Sequence, residues 1–233
     1  MSKGGSFENE ISYYYSMWWT GGKRDDIFYR TGGSGSRFTS RKKKGKKTEN
    51  SAGDMGYTDI EGKPFIDFAL HEFKTGYTSL APIIKKDIKK IQEASTDKIE
   101  KVVREIFSQK KKGGSIDILD FLDSPAKEPL ILYWINKAEK EKSEASKKQI
   151  MLVMRRFMKV PVLLIKNELM IDIENINGQW KGNEIRLSSE GVCYCILPFH
   201  KFLKWCPVES FKLLLETNTV KSPISRRNKG GIK

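Results

Sequence analysis

The kinds of residue that this sequence has in short supply limit what the protein can be. Only three cysteines occur, and so small an odd number does not make a disulfide framework. No stretch approaches the roughly 18 consecutive apolar residues that a membrane span needs. The opening residues MSKGGSFENE lack the apolar core of a secretory signal. These absences favour a soluble, cytoplasmic protein.

Positive charge, by contrast, is abundant. The 43 Lys and Arg residues outnumber the 29 Asp and Glu residues and give a net charge of +14. A chain this basic usually binds a polyanion, which can be DNA, RNA or an anionic membrane surface. The 233 residues, 38% of them hydrophobic, suit one domain with a real core. Nucleic acid is therefore the leading partner class.

The apolar pattern predicts strands and helices in mixed order along the chain. The clearer elements are a short strand in residues 27–31, a β-hairpin in 54–75, two amphipathic helices in 79–109, a helix at about 129–146, and strands in 149–157 and 160–167. Weaker strands are predicted in residues 171–175, 183–189 and 192–199, and a last helix near 208–215. This order favours an α/β fold with a central mixed sheet covered by helices.

The second strand of the predicted hairpin carries the strongest chemical signal. Glu72 and Lys74 are two residues apart, so they project from one face of a strand. Asp54 lies as far before Lys63, in the predicted turn, as Glu72 lies after it, which places the two carboxylates opposite each other. Paired carboxylates suit a hard cation such as Mg²⁺, and a nearby lysine can assist a metal-bound water or a phosphate. The alternative is an ordinary ion pair at a strand end.

The order Gly53-Asp54, an intervening hairpin and Glu72-Phe73-Lys74 resembles the PD-(D/E)XK nuclease superfamily. The closer likeness is to phage endonucleases of that superfamily and to archaeal-type Holliday junction resolvases. In those groups a strand leads into a basic Gly/Ser-rich loop before the catalytic Asp, as IFYRTGGSGSR does here. The resemblance covers about residues 17–166, including a helix near Trp134 and the two apolar strands after it.

This resemblance implies a restriction-endonuclease-like α/β fold, in which a central mixed β-sheet is flanked by helices. The nuclease domain would occupy residues 17–220, with a two-helix insertion at 80–113. A flexible N-terminal segment, residues 1–16, would precede it, and a basic flexible tail, residues 221–233, would follow it.

The resemblance also implies the chemistry of the site. Asp54 and Glu72 would be catalytic residues and metal ligands, Lys74 the catalytic lysine, and the main-chain carbonyl of Phe73 a further ligand. Many members add an acidic residue from the first helix, and Asp26 is our choice among Glu8, Glu10, Asp25 and Asp26. The implied activity is hydrolysis of DNA backbone phosphodiesters by an endonuclease that uses Mg²⁺ or Mn²⁺.

The basic loop before Asp54 is predicted to contact the DNA backbone. It is not a P-loop, because no Gly-Lys-Ser/Thr stands at the required spacing before a helix. Its cations would neutralise phosphates and so give salt-sensitive affinity that does not depend on base sequence. The predicted DNA-binding residues are Arg30, Ser34, Arg37, Arg41, Lys42, Lys43, Lys44, Lys46 and Lys47. Of these, Arg30 and Arg37 are expected to contribute most specifically.

Other patterns have both a functional and an ordinary interpretation. One functional interpretation is a zinc site formed by Cys193, Cys195, His200 and Cys206. The ordinary interpretation is that Cys-x-Cys in an apolar strand is typical of buried cysteine. The aromatic run of residues 13–19 can stack on bases, but such clusters more often form core or a dimer contact. His71 is expected to be structural, on the strand face opposite Glu72. The lysine-rich helices at 80–112 are a solvated surface or a DNA clamp.

Two functional hypotheses remain open at this point. The first is a phage nuclease acting on duplex or branched DNA in the host cytoplasm, with a resolvase-like role as one form. Symmetrical cutting of a junction needs two active sites, and so a homodimer. The second is a nucleic-acid-binding protein that keeps the fold without the catalysis.

Overall fold

The computed structural model describes residues 3–32, 40, 43–45, 52–77, 85–93, 95, 98, 100–102, 129–156 and 159–220. These residues form a mixed α/β structure in which a five-stranded mixed sheet is flanked by helices, as predicted for the fold class. None of the helices within these ranges is long and apolar enough to cross a lipid bilayer.

The helices and strands are numbered here in chain order. The helices are α1 (Lys3–Trp19), α2 (Lys63–Phe68), α3 (Lys85–Gln92), α4 (Leu130–Glu144), α5 (Asn167–Asn177), α6 (Phe199–Trp205) and α7 (Val208–Val220). The strands are β1 (Phe28–Arg30), β2 (Met55–Tyr57), β3 (Ala69–Tyr77), β4 (Gln149–Arg156), β5 (Val162–Lys166), β6 (Ile185–Ser189) and β7 (Val192–Pro198).

The main sheet has the strand order β3-β4-β5-β7-β6. Strands β3 and β4 are parallel, and the other neighbours are antiparallel. A parallel pair needs a crossover connection, and the connection from β3 to β4 includes α4. Strands β1 and β2 form a separate antiparallel pair. It is tied to the free edge of β3, where the Asp54 N–H donates to the His71 carbonyl at 2.7 Å.

Each face of the main sheet is covered by its own apolar cluster. The cluster on the α1 face includes Ala69 and Phe73 of β3, and the cluster on the α4 face includes Leu70. Because strand side chains alternate between faces, Glu72 and Lys74 project toward the α4 face. The candidate site therefore lies on the α4 side of the first strand of the sheet.

The prediction of a flexible segment at residues 1–16 is wrong from Lys3 onward, because α1 occupies these positions. Phe7, Ile11 and Tyr15 are completely buried, and Trp19 is nearly so. Side chains four residues apart lie on one face of a helix, so these four form a single apolar stripe against the sheet. Fully burying each such side chain stabilises the fold by roughly 1.5–3 kcal/mol. This burial holds the segment against the sheet, although several of the residues between the four are polar.

The predicted hairpin at residues 54–75 is also wrong. Strand β2 pairs with β1, and residues 63–68 form α2 rather than the start of a strand. Pro64 stands at the start of this helix, where a missing N–H costs nothing. The helix buries Phe65, Ile66 and Phe68. An apolar run this short is compatible with a strand and with a buried helix, so the sequence pattern did not distinguish them.

Most of the other predicted elements are confirmed. The short strand at 27–31, the helix at 129–146 and the apolar strands in 149–157 and 160–167 correspond to β1, α4, β4 and β5. The weaker strands at 183–189 and 192–199 correspond to β6 and β7, and the last helix to α7. The strand predicted at 171–175 is wrong, because these residues belong to α5, whose apolar residues recur at helical spacing.

Two predicted regions lie wholly or largely outside the described residues. Within the predicted insertion at 80–113, the described part includes α3, and most of the second predicted helix lies outside it. The whole predicted tail, residues 221–233, lies outside the described ranges.

Candidate functional site

The three predicted catalytic residues meet at the edge of β3. Lys74 Nζ lies 2.5 Å from Glu72 Oε2 and 3.5 Å from Asp54 Oδ2. The residues Asp54 and Glu72 are only 5% and 4% exposed, and the Lys74 side chain is 16% exposed. We call these three residues the carboxylate site. Their meeting confirms the predicted proximity of Asp54 and Glu72, although a hairpin does not produce it.

Asp54 is held in place by its own main chain and by β3. Its N–H donates to the His71 carbonyl at 2.7 Å, and its Oδ2 accepts from the Phe73 N–H at 2.7 Å. On the other side, the Thr31 N–H donates to the Asp54 carbonyl at 3.0 Å. The Thr31 hydroxyl donates to the Gly53 carbonyl at 2.6 Å. Asp54 thus satisfies the open edge of β3, and this edge fixes its carboxylate beside Glu72.

Gly53 permits this close approach. Its φ is +76°, a left-handed conformation that favours glycine, and a Cβ built there lies 2.6 Å from the His71 carbonyl oxygen. A β-carbon would therefore push the chain away from β3 at the position of Asp54.

We expect Gly53→Ala to destabilise the protein more than Gly191→Ala does. Gly191 has a similar φ of +79°, but a Cβ there has nothing within 4 Å. The left-handed conformation alone costs about 1–2 kcal/mol, and the clash at Gly53 adds roughly 1–3 kcal/mol. Urea unfolding of both variants measures the difference. Equal losses of stability would show that β3 does not constrain the chain at Gly53.

Burial and charge both act on the ionisation of the site. Burial, followed by the negative charge of Asp54, raises the pKa of Glu72 to about 7, against the opposing effect of Lys74. Burial by itself would lower the pKa of Lys74, but the carboxylates of Glu72 and Asp54 outweigh it and raise this pKa above its usual range. The lysine is therefore charged and lies between two carboxylates. A pKa near 7 means that Glu72 passes between its protonated and ionised forms around neutral pH.

The main chain of Phe73 faces the same edge as Asp54. In an extended strand, the N–H and C=O of one residue point to the same side. The Phe73 N–H donates to Asp54, so the Phe73 carbonyl is directed toward that edge as well. The predicted carbonyl ligand thus has a suitable orientation.

His71 lies on the opposite face of β3, as expected. Its ring packs against Phe65 and Tyr15, with centroid distances of 4.4 Å and 5.5 Å. Burial lowers the pKa of His71 to about 3, so the ring is neutral. Its Nε2 lies 3.5 Å from the Phe65 carbonyl oxygen. His71 is therefore part of the core behind the carboxylate site.

Asp26, our choice for the first-helix acid, is not brought to the carboxylate site. The antiparallel register of the small sheet places Arg30 beside Met55, the residue after Asp54. Asp26 precedes the other end of β1, where its Oδ1 lies 2.9 Å from Arg24 Nε. The Arg24 guanidinium holds the pKa of Asp26 below its ordinary value. Asp26 therefore belongs to a surface ion pair at the far end of the strand.

Glu8 is the first-helix acid on the Asp54 side of β1. Its carboxylate accepts a hydrogen bond from Arg30 Nε, and Arg30 directly precedes Thr31, which binds Asp54. Glu10 instead binds Arg155, at 2.7 and 2.8 Å from Nη1. The four-residue spacing of the α1 stripe was the sequence signal that could have favoured Glu8.

The predicted DNA-binding residues are only partly described. Arg30, Lys43 and Lys44 are exposed, the Arg30 side chain by 37%. The remaining six lie outside the described residues: Ser34, Arg37, Arg41, Lys42, Lys46 and Lys47.

Nothing in the described part of the chain forms a larger metal-ligating cluster. No group of three or more His, Cys, Asp or Glu side chains there is arranged to hold a metal ion. This covers the conceivable zinc ligands, of which Cys195 Sγ instead lies 3.2 Å from Asn167 Oδ1. Asp54 and Glu72 suit a cation that completes its coordination with main-chain, water and phosphate oxygens, as Mg²⁺ does.

Comparisons of the chain with protein-family models, with curated proteins and with solved structures find no match. The functional conclusion therefore depends on the geometry and charge of the carboxylate site and on the surface around it.

Proposed function

We propose that the chain is a metal-dependent DNA endonuclease of the PD-(D/E)XK type that hydrolyses backbone phosphodiesters with Mg²⁺ or Mn²⁺. The observation that carries this proposal is that Asp54 meets Glu72 and Lys74, which lie on a separate segment of the chain, at one buried edge of the sheet. Two carboxylates and a lysine beside a main-chain carbonyl are the groups that this chemistry requires.

The order of elements around the site supports the same proposal. Strand β3, which carries Glu72-Phe73-Lys74, is followed, after α3 in the predicted insertion, by α4 with Trp134 and then by the apolar strands β4 and β5. This is the order that the resemblance implies. The restriction-endonuclease-like arrangement is therefore part of our proposal, and the mixed sheet flanked by helices is its structural basis.

Charge balance explains how the site acts on a phosphodiester. With both carboxylates ionised and Lys74 protonated, the carboxylate site has a net charge of about −1 and repels DNA. A bound Mg²⁺ would supply a Lewis acid and lower the pKa of a bound water. Asp54 and Glu72 would ligate it, and Lys74, released from Glu72, would donate to a phosphate oxygen.

We further propose that Glu8, rather than Asp26, is the first-helix acid of the site. Glu8 reaches Asp54 through Arg30 and Thr31, whereas Asp26 lies at the other end of β1.

The partner would be duplex or branched DNA in the cytoplasm, which is the host cytoplasm if a phage encodes the protein. A resolvase-like role would additionally require a homodimer.

The proposal is tested with supercoiled plasmid, linear duplex and four-way junction DNA, each incubated with Mg²⁺, Mn²⁺ or EDTA. We expect cleavage that requires metal and is lost in Lys74→Ala. Lys166→Ala is the matched control, since Lys166 is buried to a similar degree, at 17% exposure, and pairs with Glu139 outside the site. Circular dichroism checks that Lys74→Ala, which leaves two carboxylates without their cation, is folded.

Each outcome of this assay discriminates between hypotheses. Intact DNA in every lane, with tight binding retained, would contradict the nuclease and support an inactive DNA-binding protein on the same fold. Symmetrical nicks confined to the junction would identify a resolvase, and light scattering of the DNA complex would then show a dimer. A preference for linear or plasmid DNA would exclude that subtype.

A further inference from the structure

The C-terminal end of β4 lies directly beside the carboxylate site. Strands β3 and β4 are parallel, and Lys74 pairs with Met154. Met154 belongs to the apolar cluster on the α4 face, the face toward which Glu72 and Lys74 project. Because side chains alternate along a strand, Arg156, two residues after Met154, also projects to this face.

The geometry of the sheet sets the separation between Arg156 and the carboxylate site. Neighbouring strands lie about 4.8 Å apart, and two residues advance a strand by about 6.7 Å. The Cα atoms of Lys74 and Arg156 are therefore roughly 8 Å apart. An irregularity in β3 between Thr75 and Tyr77 places Tyr77 opposite Arg156. Bulges of this kind are common beside active sites, where they redirect a strand end.

Arg156 and Lys159 are cations available to a ligand. Both side chains are exposed, and the Lys159 N–H donates to the Arg156 carbonyl at 3.1 Å, which links the two residues through the main chain. Neither forms an ion pair with any described carboxylate. Other cations of the same sheet are already paired, such as Arg155 with Glu10 and Lys166 with Glu139.

The adjacent Arg155 shows why its neighbour has a different role. Arg155 projects to the α1 face, where its guanidinium binds Glu10 and lies 4.4 Å from the centre of the Phe7 ring. It therefore fastens α1 to the sheet. Arg156, on the other face, has no such structural contact within the described residues, and Lys159 extends the same positive edge.

We infer that Arg156 and Lys159 form a second DNA-backbone site, which binds phosphates next to the one held at the carboxylate site. This inference rests on the proposed nuclease function and extends its substrate contacts to β4. Arg30 of β1 pairs with Met55, the residue after Asp54, and Arg156 of β4 pairs with Tyr77, beyond Lys74 along β3. A guanidinium binds a phosphate through two parallel N–H groups, which suits Arg156 to position the backbone.

The experiment measures DNA affinity over a range of salt concentrations. Fluorescence anisotropy of a labelled duplex reports binding, and EDTA is present so that cleavage is absent. Each phosphate contact contributes about −0.9 to the slope of log K against log salt. We expect the double variant Arg156→Gln/Lys159→Gln to have a slope less negative by roughly 1.8. Lys23→Gln is the control, since Lys23 is exposed in the connection between α1 and β1, on the Asp26 end. It should keep the wild-type slope.

The possible results separate this inference from the proposed function. A double variant with the wild-type slope overturns the β4 site, and if the wild-type protein still cuts DNA, the nuclease proposal stands. An equal change in Lys23→Gln also overturns it, since the effect would then reflect net charge alone. A wild-type protein that binds no DNA in EDTA and cuts none with Mg²⁺ or Mn²⁺ overturns both. Both substituted side chains are exposed, so unchanged thermal unfolding should accompany the altered slope.

Discussion

Asp54→Asn is expected to abolish metal-dependent cleavage while the protein stays folded. The asparagine oxygen can still accept the Phe73 N–H, and the main-chain bond to the His71 carbonyl is unaffected. The neutral amide, however, lacks the negative charge of the carboxylate and is a weaker ligand for a hard divalent cation. Losing the metal removes several kcal/mol of transition-state stabilisation, which corresponds to a rate on the order of 10³-fold lower. Plasmid nicking rates over a range of Mg²⁺ concentrations measure the loss.

The same substitution should not reduce stability. Asp54 and Glu72 are two buried carboxylates that both pair with Lys74, so removing one negative charge relieves repulsion. We expect the free energy of unfolding to stay constant or to rise, as measured with urea at pH 8. Asp67→Asn, at a carboxylate that is 47% exposed and pairs with Lys63, controls for a general effect of charge. Full cleavage by Asp54→Asn would remove Asp54 from the proposed site, and a lower free energy of unfolding would show that the Asp54 carboxylate stabilises the fold.

Glu72→Gln is expected to become more stable relative to the wild type as the pH rises. The pKa of Glu72 is about 7 in the folded protein and 4.5 without the influence of the fold. Between these values the folded state binds a proton that the unfolded state lacks, so the wild type loses stability with rising pH. Each unit of pKa shift is worth about 1.4 kcal/mol, which gives a total of a few kcal/mol. The variant lacks this loss.

The difference in free energy of unfolding between Glu72→Gln and the wild type is more informative than the pH dependence of either protein alone, because His71 affects both proteins. Its pKa is about 3 when folded and 6.5 otherwise, so it makes the protein more stable as the pH rises through that window. This opposes the effect of Glu72 where the two windows overlap, and it cancels when Glu72→Gln is subtracted from the wild type. A difference that is constant from pH 4 to 8 would show that Glu72 ionises normally.

Metal should reverse the effect of pH on the wild-type protein. Only ionised Glu72 is a good ligand, so Mg²⁺ affinity should increase through pH 7, and Mg²⁺ should raise the melting temperature more at pH 8 than at pH 5. The melting temperature of Glu72→Gln should respond little to Mg²⁺ at either pH. An equal response in both proteins would place the metal elsewhere.

The proximity of Asp54 and Glu72 shows how a correct prediction can follow from a wrong element. Hairpin symmetry placed them opposite each other, but the residues between them include α2, and β2 pairs with β1. They meet because Asp54 completes the hydrogen bonding of the β3 edge. The apolar run before Glu72 is short, and short runs do not distinguish a strand from a buried helix.

Asp26 shows the opposite case. Its position just before β1 was compatible with the site, but the register of the β1–β2 pair places it at the far end. Strand register is set by pairing across the chain, and no local pattern specified that β2 would be the partner of β1. The stripe of α1, which favours Glu8, was readable from the sequence because helical spacing is local.

The sequence alone therefore determined the local part of the site: Glu72 and Lys74 share one face, and the strands around them are buried, because backbone geometry sets side-chain direction over a few residues. Only the tertiary structure decided which carboxylate joins them. It seated Asp54 against β3, left Asp26 at the surface, and buried Glu72 deeply enough to raise its pKa. Hydrogen bonding at a strand edge and exclusion of water depend on residues distant in the chain, and they exist only once the chain is packed.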